Sequence, residues 1–182
     1  GRGQQQFEEA PFTKEGKAKF DANKPGYGPR ATDAQRNDPL TKCEPEGLVR
    51  NLNTEIAAPH ATMEIVQTPA KMLQFFEYHH DWRAVWTDGR KLPSLDDVDP
   101  KWNGYSVGRW DGNTFIVNSM GVDGRSWLDK FGYPHSEELR LEERYRRLDA
   151  DTLELTMTIT DPVMYTKPWV SDRKTFKLNR AK

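Results

Sequence analysis

The chain is poor in cysteine, in net charge and in long apolar runs. One cysteine in 182 residues, Cys43, excludes an intramolecular disulfide and any cysteine-based zinc knuckle, so it says little about compartment. Basic and acidic side chains nearly cancel, 27 against 28, for a formal charge of −1. A general polyanion binder carries an excess of Lys and Arg, so nucleic acid is not an expected partner. No apolar stretch approaches the ~20 residues of a membrane-spanning helix. Leu, Ile, Val and Phe make up only about 19% of the chain, just under the range where disorder becomes plausible. Disorder also needs a large net charge, which is missing, and Trp 6, Tyr 6 and Phe 8 supply aromatic mass. The length fits one domain, or one domain plus an arm. There is no Gly-x-Ser-x-Gly elbow, phosphate loop or dinucleotide fingerprint, and no cofactor is expected.

What apolar material exists is unevenly spread. All six tryptophans lie between Trp82 and Trp169, and residues 1–60 hold few core formers beyond Phe7, Phe12, Phe20, Leu48, Leu52 and Ile56. Residues 1–60 therefore read as an arm over a domain formed by 61–182. The arm has one short helix, Thr13 to Ala22, with Thr13 as N-cap, Glu15 in the first turn and Lys24-Pro25-Gly26 as its stop. Pro45-Glu46-Gly47 marks a turn.

From Thr62 onward the pattern has period two. Leu153, Leu155, Met157 and Ile159 alternate with polar residues across Thr152 to Thr160, a strand with one buried face. Leu139 to Arg147 reads as its antiparallel partner. Tyr105 to Trp110 and Thr114 to Ser119 flank Asp111-Gly112-Asn113, a strong hairpin signal. Further strands are expected at Thr62–Thr68, Met72–Tyr78, Trp82–Thr87 and Arg173–Leu178, with long loops at 88–103, 120–137 and 161–172. No helical pattern intervenes, so parallel crossover units are not expected. The fold class is mainly β: an antiparallel meander of about eight strands closed as a lipocalin-like barrel, which can hold one small ligand. A two-sheet sandwich is the alternative.

Alternation places Glu143 inward with Leu141 and Tyr145, unless a bulge between Glu142 and Glu143 turns it out. An inward carboxylate needs a partner or a raised pKa. The plain reading is an ion pair with Arg83 or Arg109; the functional reading makes Glu143 a general acid or base. His135 on the 120–137 loop, with Asp129 or Glu137 to orient it, is a second acid–base candidate. Its plain reading is a loop-closing network with Ser136. In an enzymatic version Glu143 and His135 exchange protons, Arg83 holds developing negative charge, and Trp127 and Tyr145 form an apolar wall. The reaction is then a cofactor-free lyase, isomerase or hydrolase step. His80, Arg90 and Tyr165 complete the ligand-binding candidates, although Arg90 in Thr87-Asp88-Gly89-Arg90 also fits a structural salt bridge. His79 and His80 point to opposite faces of a strand, and no metal-ligand spacing involves them, so no metal is expected.

Several runs follow one another in a recognisable order: Asp38-Pro39 to Pro45, Glu64 to Pro69, Thr87 to Arg90, Tyr105 to Thr114, Trp127 to Asp129, Pro134-His135-Ser136-Glu137, Glu143 to Arg147, Asp161-Pro162, and Tyr165 to Trp169. From about Pro11 to Leu178 the chain resembles a widespread family of bacterial hypothetical proteins, abundant in acidobacteria and proteobacteria and often carrying export signals. The resemblance implies a periplasmic or extracellular location and brings no catalytic residue set. The start at Gly1-Arg2-Gly3, without methionine, reads as a processed or trimmed chain. Where the family has Gly-Asp-Thr, this chain has Gly112-Asn113-Thr114, one turn former for another.

The expected function is binding of a small, partly apolar ligand in the barrel interior, with acid–base chemistry there in the enzymatic version. The alternative is a non-catalytic structural or interaction module with a filled barrel. A polar cavity around Glu143 would favour the first, and an interior solid with Leu, Met and Phe the second. An arm that closes a neighbour's barrel would make a homo-oligomer.

Overall fold

A computed structural model describes residues 10–53 and 62–180. The expected core positions Phe7 and Ile56 lie outside the described residues. The described part of the arm begins with α1 (Lys14–Ala22). Thr13 caps it as expected, its Oγ1 accepting from Gly16 N at 3.0 Å while its hydroxyl donates to Val163 O at 2.6 Å. Gly16 lies against the Met164 carbonyl, and a Cβ there would collide with it.

A second helix, α2 (Leu48–Asn53), follows the turn expected at Pro45-Glu46-Gly47, so the arm holds more than one helix. Its six residues are too few for a periodic signal, and tertiary burial is what stabilises so short a helix. Leu48, Val49 and Leu52 are fully buried in the main core with Met72, Phe76, Val85, Leu141 and Met157.

Among the described residues the domain is one curled sheet, a half-barrel. Its strands are β1 (Met63–Gln67), β2 (Lys71–Phe76), β3 (Asp81–Trp86), β4 (Tyr105–Asp111), β5 (Thr114–Met120), β6 (Arg140–Asp149), β7 (Thr152–Thr160), β8 (Trp169–Val170) and β9 (Lys174–Lys177). Strands β1 to β8 neighbour one another in sequence order, and β9 joins the same edge of β7 as β8. The sheet is open, not a closed barrel: β1 and the β8/β9 edge do not pair.

The meander is antiparallel except at one step. Strands β3 and β4 pair in parallel, Val85 with Ser106 and Trp86 with Val107. The long loop expected at 88–103 is there, but the expectation of no parallel crossover fails, because residues 87–104 carry the chain across with a 3-10 turn at Leu95–Asp97 in place of a helix. This crossover lets Val98 and Tyr105 lie over Gly121 at the end of β5. Strand β8 lies inside the segment expected as a loop at 161–172.

The arm is tied to the loop between β5 and β6 by side chains that satisfy loop carbonyls. Lys19 reaches Gly124 O and His135 O, Asn23 reaches Gly132 O at 2.8 Å, and Asn53 reaches Leu128 O at 2.7 Å. Buried backbone acceptors need such partners, so the arm and this loop order each other.

Candidate functional site

The curl of the sheet brings β3 opposite β6. On β6 the pairing runs unbroken past Glu142 and Glu143; the irregularity falls later, between Arg147 and Asp149. Leu141, Glu143 and Tyr145 therefore face inward, and Glu143 is 0% exposed. Its partner is Arg83. The guanidinium Nη1 donates to Oε1 at 2.7 Å and Nη2 to Oε2 at 2.5 Å, a two-point fork. Arg109, the other sequence candidate, is exposed on β4.

Neighbouring strands complete the shell. Gln74, cross-strand partner of Arg83, accepts from its Nε at 2.7 Å. The Tyr145 hydroxyl donates to Glu143 Oε2 at 2.7 Å, and Ser119 donates to Oε1 at 3.4 Å, with Ser106 Oγ 2.8 Å from Ser119 Oγ. Burial is the largest single influence on Arg83 and pulls its pKa down, but the charge and hydrogen bond of Glu143 together with Tyr145 outweigh it, and the net shift is upward. Burial first, then the Glu143 charge, pushes the Tyr145 phenol well above its ordinary value. The tyrosine thus stays a hydrogen-bond donor. Both carboxylate oxygens are spent, and a ligand reaches them only by displacing the packed interior.

His135 belongs to a different cluster. Its Nδ1–H donates to Ser136 O at 2.9 Å, which leaves Nε2 to accept from Ser126 Oγ at 2.8 Å. Burial lowers its pKa and keeps it neutral. Asp161 accepts from Ser136 N at 2.6 Å and Oγ at 2.9 Å, and from Val163 N and Met164 N, pinning the loop to the turn after β7. Asp129 accepts from Phe131 N at 2.9 Å and Tyr133 N at 3.2 Å, a local turn bond. No hydrogen bond among the described residues links His135 or Asp129 to Glu143. Sequence reasoning missed Ser126 as the histidine's partner, since nine residues of irregular loop separate them.

The remaining candidates are dispersed. Trp127 is 5% exposed, bridged to Pro134, and Tyr165 donates to Pro134 O at 2.8 Å while stacking on Phe12. Burial raises the Tyr165 pKa. Arg90 is exposed, clasps Asp88 and lies 3.6 Å over the Trp86 ring. Its hydrogen bond holds the Asp88 carboxyl below its usual value. His80 is exposed with φ 53 in the turn between β2 and β3, and the side chain of His79 lies outside what the structure describes. Among the described residues no group of His, Cys, Asp and Glu is arranged to hold a metal.

One buried cluster had no expectation attached. Arg50 on α2 forks onto Asp38 at 2.9 and 3.0 Å, and its Nε faces Glu46 Oε1 at 3.5 Å without a hydrogen bond. Burial pushes Glu46 up to about 7 despite Arg50, with Asp38 and Asp81 adding to the rise. The i,i+4 spacing of Glu46 and Arg50 was the available signal, hidden because Glu46 reads as a turn residue.

An open groove of about 630 Å³ lies at the sheet's rim, between the β4–β5 and β6–β7 turns. Trp110, Asn113, Arg147, Leu148 and Asp149 line it. Trp110 is 61% exposed, yet its ring is held 5.1 Å from Phe115, its cross-strand partner. Arg147 pins the second turn through Asp149 O and Ala150 O. Comparison of the chain with protein-family models, with curated proteins and with solved structures gave no match.

Proposed function

We propose that the protein is a non-catalytic binding module whose small, partly apolar ligand docks in the rim groove on Trp110. One observation carries this reading: a large indole is left exposed but anchored on Phe115 over a groove, while Glu143 is sealed. A preorganised aromatic flanked by polar turn residues suits a ligand with one flat apolar face and a hydrogen-bonding rim. The closed Arg83–Glu143 fork supports a filled scaffold in place of an interior reaction site. The family resemblance supports an exported setting.

A ligand-observed NMR screen of saccharides and small aromatic acids tests the reading. Hits are expected to weaken at least about tenfold, ~1.4 kcal/mol, in Trp110→Ala and to persist in Glu143→Gln. Hits that depend on Glu143 and ignore Trp110 would return the site to the interior. No hits at all would reject the ligand reading.

A further inference from the structure

The two edges of the open sheet are built differently. At one end β8 has only two residues, and β9 carries Lys174 and Lys177, flanked by Arg173. Short strands and lysines are how natural sheets blunt an edge. At the other end β1 has no lysine, no proline and no bulge, and its pairing with β2 is regular from Met63 to Gln67. Ile65 and Val66 are each 37% exposed, one on either face.

The hairpin bonds show which backbone groups of β1 find no partner among the described residues. Thr68 N donates to Lys71 O at 2.9 Å, and Glu77 N donates to Thr62 O at 3.0 Å, so the even-numbered residues of this strand turn their backbone groups toward β2. By the period of the pleat, Met63, Ile65 and Gln67 point N–H and C=O at the open edge.

We propose that β1 is a self-association edge, on which a second copy of this chain pairs antiparallel about a two-fold axis at Ile65. In that register Ile65 faces its own copy and Met63 faces Gln67. Each outward residue then gives one hydrogen bond and takes one, so the set closes with no group left over. Side-chain placement agrees. Glu64, the only charge on the strand, falls opposite Val66 of the second copy, so no like charges meet directly. Thr62 falls opposite Thr68. Pairing β1 with the β9 edge of another molecule would propagate into a filament, and the two-residue β8 and the lysines on β9 blunt that edge. A five-residue strand buries less than the ~1,200 Å² of a standard interface, so the dimer is of the weak, concentration-dependent kind.

Sedimentation velocity over a concentration series up to about 1 mM tests this for the whole chain. The wild type is expected to show a monomer–dimer equilibrium. Ile65→Lys, which sets two ammonium groups face to face on the axis, is expected to weaken it at least about tenfold. Ile65→Glu alone is expected to do the same, and an equimolar mixture of the two variants should dimerise again. Circular dichroism checks that both variants keep the fold. A wild type that stays monomeric throughout, a dimer indifferent to Ile65→Lys, or a mixture without recovery would each overturn the proposal. None of these outcomes bears on the Trp110 groove.

Discussion

Arg83 and Glu143, sixty residues apart in sequence, close on each other through two parallel hydrogen bonds in the interior of the half-barrel. Neither has water to fall back on: the side chains are 2% and 0% exposed. Gln74, Tyr145 and Ser119 take up the remaining hydrogen-bonding capacity. A satisfied buried pair of this kind ties together strands that are not neighbours in the sheet, β3 and β6, and it costs most when half of it is removed.

Glu143→Leu is accordingly expected to lower unfolding free energy by about 3–5 kcal/mol, because it strands the Arg83 charge. The double substitution Arg83→Met with Glu143→Leu should recover most of that loss. Urea denaturation of the two singles and the double measures the coupling. Additive losses would mean that the two side chains contribute independently.

Stability should depend on pH through Glu46. Its carboxyl titrates at about 7 when folded against an ordinary value of 4.5, so the folded state holds the proton longer than the unfolded chain. Below about 4.5 both states are protonated and the difference vanishes. As pH rises from there through 7 the unfolded state is increasingly favoured, by roughly 3 kcal/mol in all. Glu46→Gln should remove this slope. Urea unfolding of both proteins at pH values spanning the window checks it, and parallel profiles would exclude Glu46 as the source.

The His135 ring should be the Nδ1–H tautomer, with burial lowering its pKa from the ordinary histidine value. Long-range proton–nitrogen correlation spectra distinguish the two tautomers directly. Ser126→Ala leaves the Nε2 acceptor buried without its donor and should cost about 1–3 kcal/mol. An Nε2–H pattern in the wild type would reverse the assigned hydrogen-bond directions.

Gly47 should tolerate no side chain. Its φ of +80 lies in the left-handed region, and a Cβ would press on Ser126. Gly47→Ala is expected to cost at least ~2 kcal/mol, combining backbone strain with overpacking. Thermal denaturation measures it, and a neutral result would show that α2 and its turn can shift away from the loop.

Much of this fold is written locally. The Thr13 cap, the β4–β5 hairpin and the run from Thr152 to Thr160 follow from neighbouring residues, and β7 matches its expected limits. The inward direction of Glu143 follows the same way, from the two-residue period of an unbroken strand. Helix α2 was not legible. Its six residues are shorter than two helical turns, and it is held by burying Leu48, Val49 and Leu52 in a core supplied mostly by the sheet.

The candidate site divides along the same line. Sequence by itself determined that Glu143 faces the interior of an unbroken strand, where it needs a partner or a raised pKa, and that the loop around His135 is rich in groups able to close on one another. Only the tertiary structure decided that Arg83 answers it and Arg109 does not, that His135 sits with Ser126 away from Glu143, and that the sheet stays open. The reason is range. Which face a side chain takes is set by the pleat within a few residues. Which partner it meets depends on the curl of the whole sheet and on the parallel β3–β4 step, and both arise from contacts between segments far apart in the chain.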